Sequence, residues 1–275
     1  MPRFATADGL NLYYADTGQG QPLLCLAGLT RNSLDFSFLA PHVADLRMIA
    51  LDYRGRGQSD HDPDYRNYTV AQEAQDVIAL MDHLGLDRVS ILGTSRGGLI
   101  AMTLAATCPD RLAAVILNDV GPVIEPQGIA RIIDYVGRKP VSKTLDQAAA
   151  VLKQMMEPQF PGVPLAVWRK QAAFQYEETA DGLALRYDPA LRTALLEQIE
   201  TGETPDLWPL FDALHDTPTG VIRGANSDLL SRETVDAMRA RHPGLITGDV
   251  PDRGHVPFLD EPQSLDIIRK TLELA

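Results

Sequence analysis

Cysteine is nearly missing from this chain: there are two in 275 residues, Cys25 in an apolar run and Cys108 near a helix end. Two thiols build no disulfide framework, and no cysteines or histidines recur at metal-ligand spacing. Both therefore read as small packing residues in a reducing compartment. No metal site is expected, and no organic cofactor. Basic excess is missing too: 25 Lys and Arg stand against 37 Asp and Glu, a net charge of −12. Such a surface repels phosphate backbones, so no nucleic-acid partner is expected and the charge reads as a source of solubility. No apolar run approaches the length of a membrane span. The segment Met1-Pro2-Arg3-Phe4-Ala5 lacks the apolar stretch of a signal peptide. A cytoplasmic protein without a membrane partner is expected, so the sequon Asn67-Tyr68-Thr69 carries no meaning.

Hydrophobic residues make up 45% of the chain, enough for the core of one large α/β domain or of a domain with an insertion. Asp8-Gly9 sits at the turn of a hairpin that continues through Tyr14. Pro22–Ala27, Arg47–Asp52, Val89–Leu92 and Ala113–Asn118 are apolar runs, as expected of strands buried on both faces. Helical spacing runs from Thr69 to Leu84 and stops at Gly85, a typical cap position. This alternation predicts a mostly parallel sheet covered by helices on both sides. Between Gly121-Pro122 and His215 the rhythm breaks. Helical periodicity occupies Ile129–Val136, Leu145–Met156, Leu165–Tyr176 and Leu191–Ile199, with no buried strand, which predicts a helical insertion. The α/β pattern resumes at Thr219–Gly224, followed by a helix at Arg232–Arg241, a strand near Leu245–Val250 and a last helix at Gln263–Leu274.

The chemistry centres on Gly93-Thr94-Ser95-Arg96-Gly97. G-x-S-x-G between a strand and a helix is a nucleophile elbow: the turn is so tight that the flanking positions must lack side chains, and the serine hydroxyl projects into open space. A serine hydroxyl needs a base, and the base needs an orienting acid. Among six histidines, His255 follows the final strand and precedes the last helix, at the sheet edge where sites form. For the acid, Asp228 and Asp119 both follow strand ends, and the order Ser–Asp–His fits either. The backbone N–H of Arg96, at a helix N-terminus, is suited to hold an oxyanion. The side chains of Arg96 and Arg31 either face the pocket and hold an acidic substrate group or, for Arg96, pair with a neighbouring carboxylate; pairing is the favoured reading. Of the insertion's aromatic residues, Phe160, Trp168, Phe174, Tyr176, Trp208 and Phe211, some are candidates to line an apolar pocket under the cap and most read as its own core.

The elbow, the stretch Asp52-Tyr53-Arg54-Gly55-Arg56-Gly57-Gln58-Ser59-Asp60, Asp228 and Arg253-Gly254-His255 together resemble the α/β-hydrolase-fold superfamily across essentially the full chain. The resemblance implies an α/β-hydrolase core in residues 1–121 and 216–275 and a helical cap in 122–215. It implies the acid after the post-cap strand, hence Asp228, although a minority of relatives place it where Asp119 stands. It also implies the N–H of Leu29 as second oxyanion donor, with Ala27-Gly28 where the family often has His-Gly. The expected function is a serine hydrolase (Ser95, His255, Asp228; oxyanion donors Leu29 and Arg96) acting on a small carboxylic ester or lactone without a cofactor. The alternatives are a C–C bond hydrolase of ring-cleavage products and a slow-turnover ligand receptor. No sequence feature specifies an oligomeric state.

Overall fold

The computed structural model describes residues 2–200 and 205–275. Met1, and residues 201–204 inside the expected cap, lie outside the described residues. The strands are β1 (Arg3–Ala5), β2 (Asn11–Thr17), β3 (Pro22–Leu26), β4 (Arg47–Leu51), β5 (Val89–Thr94), β6 (Leu112–Asn118), β7 (Tyr176–Thr179), β8 (Gly182–Leu185), β9 (Thr219–Gly224) and β10 (Ile246–Val250). The helices are α1 (Val70–His83), α2 (Arg96–Thr107), α3 (Pro126–Tyr135), α4 (Leu145–Met156), α5 (Leu165–Gln175), α6 (Leu191–Glu200), α7 (Trp208–Asp212), α8 (Arg232–Arg241) and α9 (Pro262–Leu272).

Eight strands form one sheet in the order β1-β2-β4-β3-β5-β6-β9-β10. Only β1 and β2 run antiparallel to their neighbours; the remaining pairs are parallel. The apolar runs form these buried strands because successive side chains feed opposite cores. Leu24 and Leu26 of β3 join one cluster with α1, α2 and α8, whereas Leu23 and Cys25 join a second cluster with α9. Each fully buried leucine contributes roughly 1.5–3 kcal/mol before conformational entropy is counted. Cys25 is fully buried and free, and burial pushes its thiol up. The Thr69 side chain caps α1 by accepting from Gln72 N, and Gly85 follows that helix at φ +65°.

The segment between β6 and β9 carries α3 to α7. It also carries an antiparallel hairpin, β7–β8, that its sequence did not announce. β7 is largely exposed and β8 buries only Leu183, so no buried apolar run marks the hairpin. The segment packs in two small clusters, one around Phe160, Trp168 and Ala172 with Phe258 against it, the other around Val136, Tyr187 and Leu191 with Tyr68. By contrast, Phe211 of α7 and Leu214 pack in the main cluster with α2, so α7 sits with the sheet. Backbone bonds tie the segment to the loop after β4, from Gly57 N to Arg186 O and from Asp188 N to Gly55 O, both 2.8 Å.

Candidate active site

The central strand β5 ends in a forced turn. Ser95 adopts φ 52°, ψ −116°, and α2 begins at the next residue. A Cβ on Gly93 would lie 2.4 Å from Gly97 O, and one on Gly97 would lie 2.1 Å from Leu26 O. Glycine is therefore required at both positions, and Ser95 holds a left-handed conformation that non-glycine residues seldom adopt. Its own N–H donates to Asn118 O at 3.0 Å, which fixes the turn to the end of β6.

Three side chains from distant parts of the chain meet here. Ser95 Oγ lies 2.9 Å from His255 Nε2, and His255 Nδ1 lies 2.8 Å from Asp119 Oδ2. His255 comes from the loop after β10. Buried Glu261 shapes that loop: its carboxylate accepts from Phe258 N at 2.9 Å, Leu259 N at 3.0 Å and Arg253 Nε at 2.8 Å. A carboxylate only accepts, so the Asp119 pairing puts the imidazole hydrogen on Nδ1 and leaves the Nε2 lone pair facing the serine hydroxyl. The arrangement can take a proton from Ser95 and return it.

The expectation that Asp228 would meet His255 is corrected by this geometry. Asp119 immediately follows β6, is fully buried, and turns back at φ 56° toward β9. The turn after β9 fills its remaining acceptor positions: Gly224 N donates to Oδ1 at 2.8 Å and Ser227 Oγ donates to Oδ2 at 2.6 Å. One residue further on, Asp228 points the other way and pairs with Arg131 Nη2 of α3 at 2.9 Å. Sequence reading missed Ser227 and Glu261. The only local signal for Ser227 was a hydroxyl directly before a strand-end aspartate.

The two expected oxyanion donors flank Ser95. Arg96 opens α2, and the first N–H groups of a helix have no intrahelical partner. The loop with Leu29 passes close by, since a Cβ on Gly28 would stand 3.8 Å from Ser95 Cβ. That loop is braced from behind by Arg56 Nε donating to Leu29 O at 3.0 Å, while Ala27 O accepts from Tyr53 Oη at 3.1 Å. Among the described residues no acceptor takes the Leu29 N–H.

The Arg96 side chain turns away from the site. Its Nε donates to Glu73 Oε2 at 2.5 Å and its Nη2 to Tyr68 O at 3.0 Å. Glu73 is fully buried and also meets Arg56 Nη1 at 2.8 Å. Burial pushes its carboxyl up, but the Arg56 and Arg96 guanidiniums outweigh that and hold it below the ordinary value. Arg31 instead stays at the site's edge, forked onto Asp35 with Nε–Oδ2 2.7 Å and Nη2–Oδ1 2.6 Å. Of the aromatic residues of the insertion, Phe160 and Trp168 pack with each other and with Phe258, close to His255 in the chain. Among the described residues no three His, Cys, Asp or Glu side chains stand where they would hold a metal ion, and no helix is long and apolar enough to cross a membrane.

The family model described as the alpha/beta hydrolase fold matches residues 21–262. A 3-hydroxybutyrate-oligomer hydrolase of Cupriavidus necator is 36% identical over 263 residues, covering 92% of this chain and 89% of the relative. A 2-(acetamidomethylene)succinate hydrolase of Mesorhizobium japonicum is 26% identical and covers 90% of this chain and 85% of its own length. The crystal structure of an alpha/beta hydrolase from Novosphingobium aromaticivorans superimposes with a TM-score of 0.91 at 40% identity, over 100% of this chain and 98% of that one. With its eight-stranded sheet, its elbow and these matches along nearly the whole length, the chain belongs to the α/β-hydrolase-fold family and is a hydrolase.

Proposed function

We propose that the protein is a serine hydrolase of small carboxylic esters or lactones, with Ser95 as nucleophile, His255 as general base and acid, and Asp119 as the orienting acid. The observation that carries this reading is the unbroken chain from Ser95 Oγ through His255 to Asp119, at 2.9 and 2.8 Å. Ser95 Oγ attacks the carbonyl carbon as its proton passes to His255 Nε2. The oxyanion forms beside the N–H groups of Leu29 and Arg96, where preorganised donors stabilise developing charge. Collapse breaks the bond to the leaving oxygen, which takes the proton from His255. Water then repeats the sequence on the acyl-serine, releasing the acid and restoring the Ser95 hydroxyl.

The choice of an ester is supported by the Cupriavidus relative, whose name denotes hydrolysis of a hydroxy-acid oligomer. Hydroxy acids join through esters. The test is Ser95→Ala against a panel of short acyl esters and lactones, with intact-mass measurement of the parent enzyme quenched early. Turnover is expected to fall by about a millionfold, the scale known for loss of a triad serine elsewhere. The fold should persist, and the parent should carry an acyl mass on Ser95. Retention of more than about a few per cent of turnover in the variant, beyond the residual rate such sites keep, removes Ser95 from the role.

A further inference from the structure

Arg31 forms a partly buried ion pair with Asp35 close to the elbow. It sits two residues past Leu29, and its N–H donates to Gly28 O at 3.1 Å, closing a turn. Gly28 separates the Arg31 stem from the elbow: a Cβ there would stand 3.3 Å from Arg31 Cγ and 3.8 Å from Ser95 Cβ. The guanidinium then extends beneath the inserted segment. Its Nε and Nη2 grip Asp35, and Nη2 also donates to Gln171 Oε1 of α5. Next to it, Asn32 Nδ2 donates to Phe174 O at 2.8 Å, so the whole loop is locked to α5. The Arg31 side chain keeps 18% of its surface accessible. Among the described residues nothing accepts from its Nη1, which leaves one edge of a rigidly held guanidinium open.

We propose that this open edge of Arg31 receives a carboxylate of the substrate, so that the enzyme selects esters of hydroxy- or dicarboxylic acids whose free carboxylate lies a few bonds from the scissile carbonyl. The inference rests on the ester reading above and gives it a substrate class. A guanidinium that already holds one carboxylate keeps its outer N–H groups aimed and pre-ordered, so a second anion pays little orientational entropy. Two phenols stand in the same field. Burial raises Tyr176 and Arg31 pulls it down, and the same guanidinium acts on Tyr135, whose hydroxyl also meets Thr30. Arg131, the other cation near Tyr135, is already held by Asp228 and Gln159. Arg96 faces Glu73 behind the elbow. Of these three arginines, Arg31 is therefore the one with an N–H group left to read an anionic group.

The test measures binding in Ser95→Ala protein, so turnover does not enter it. The probes are monophenyl succinate and its primary amide, titrated by calorimetry. The acid is expected to bind about ten- to a hundredfold more tightly than the amide, the worth of hydrogen bonds to a charged partner. In Arg31→Met/Ser95→Ala that preference is expected to vanish while amide binding stays. Asp35→Asn/Ser95→Ala guards against misfolding of the first variant: with the guanidinium less neutralised, the preference for the acid is expected to rise. Equal binding of acid and amide, absence of acid binding, a parallel loss of both in the Arg31 variant, or no rise in the Asp35 variant each overturns the proposal. The ester reading fails separately, if the parent enzyme binds the acid selectively yet cleaves neither phenyl ester.

Discussion

His255 Nδ1 and Asp119 Oδ2 meet at 2.8 Å although 136 positions separate them in the chain. The pairing assigns different work to the two strand-end aspartates. Asp119→Asn is expected to lower kcat by about ten-thousandfold, because an amide there presents a donor to Nδ1 and favours the wrong imidazole tautomer. Asp228→Asn breaks a partly exposed pair with Arg131 and is expected to change kcat by less than about tenfold. Steady-state kinetics on one ester decide it; the opposite ranking moves the acid to Asp228.

Ser227 is a positioning residue in this reading. Its hydroxyl donates to the Asp119 oxygen that His255 also uses and accepts from Leu229 N at 3.2 Å and Leu230 N at 3.1 Å. Ser227→Ala should leave KM nearly unchanged, reduce kcat by about tenfold and cost about 1 kcal/mol of stability, the scale of one lost hydrogen bond. A fall in stability with unaltered kcat would make Ser227 merely a turn residue.

Gly97→Ala adds one methyl group where the backbone of β3 already stands, 2.1 Å from the new carbon. The elbow must open to admit it. Both melting temperature and kcat are expected to fall, by about 1–3 kcal/mol for overpacking and by about a hundredfold for displacement of Ser95. An alanine variant with native melting and native kcat contradicts the close approach of α2 to the end of β3.

Glu73 ties the elbow's stability to pH. Its folded carboxyl lies below the ordinary 4.5, because Arg56 and Arg96 outweigh the upward push of burial. The unfolded chain therefore takes up the proton first as pH falls. The stability Glu73 contributes is complete above that ordinary value, and it is lost as pH drops through the lower folded one. Glu73→Gln should cost about 3–5 kcal/mol at neutral pH, since two buried guanidiniums lose their counter-charge. Thermal melts of parent and variant should converge as pH falls below 4.5. A constant gap across that range would refute the linkage.

Much of this protein was legible in its sequence wherever the cause is local. Gly93 and Gly97 flank Ser95 because neighbouring backbone leaves no room for a Cβ, so the elbow is written in five adjacent residues. The buried strands carry apolar residues on both faces, and helices such as Leu145–Met156 and Arg232–Arg241 appear where their periodicity puts them. The hairpin β7–β8 escaped because its strands are only four residues long and β7 is exposed, so no apolar pattern marks it. Trp208 and Phe211 stand among six insertion aromatics of which most read as its own core, yet these two pack with the sheet cluster, since hydrophobicity says that a side chain is buried and not against what.

Only the tertiary structure decided which aspartate meets His255. Asp119 and Asp228 both end strands, and their neighbours in sequence treat them alike. The adjacency of β6 and β9, the left-handed turn at Asp119 and the Ser227 hydroxyl together hold one carboxylate against the imidazole and release the other to Arg131. The two arginines were separated in the same way: Glu73 draws Arg96 to itself, and Asp35 holds Arg31. Backbone sterics act between near neighbours and so are encoded in short motifs. The partner of a charged side chain is chosen by whichever opposite charge the folded chain brings within a few ångströms, and that choice exists only once the sheet has formed.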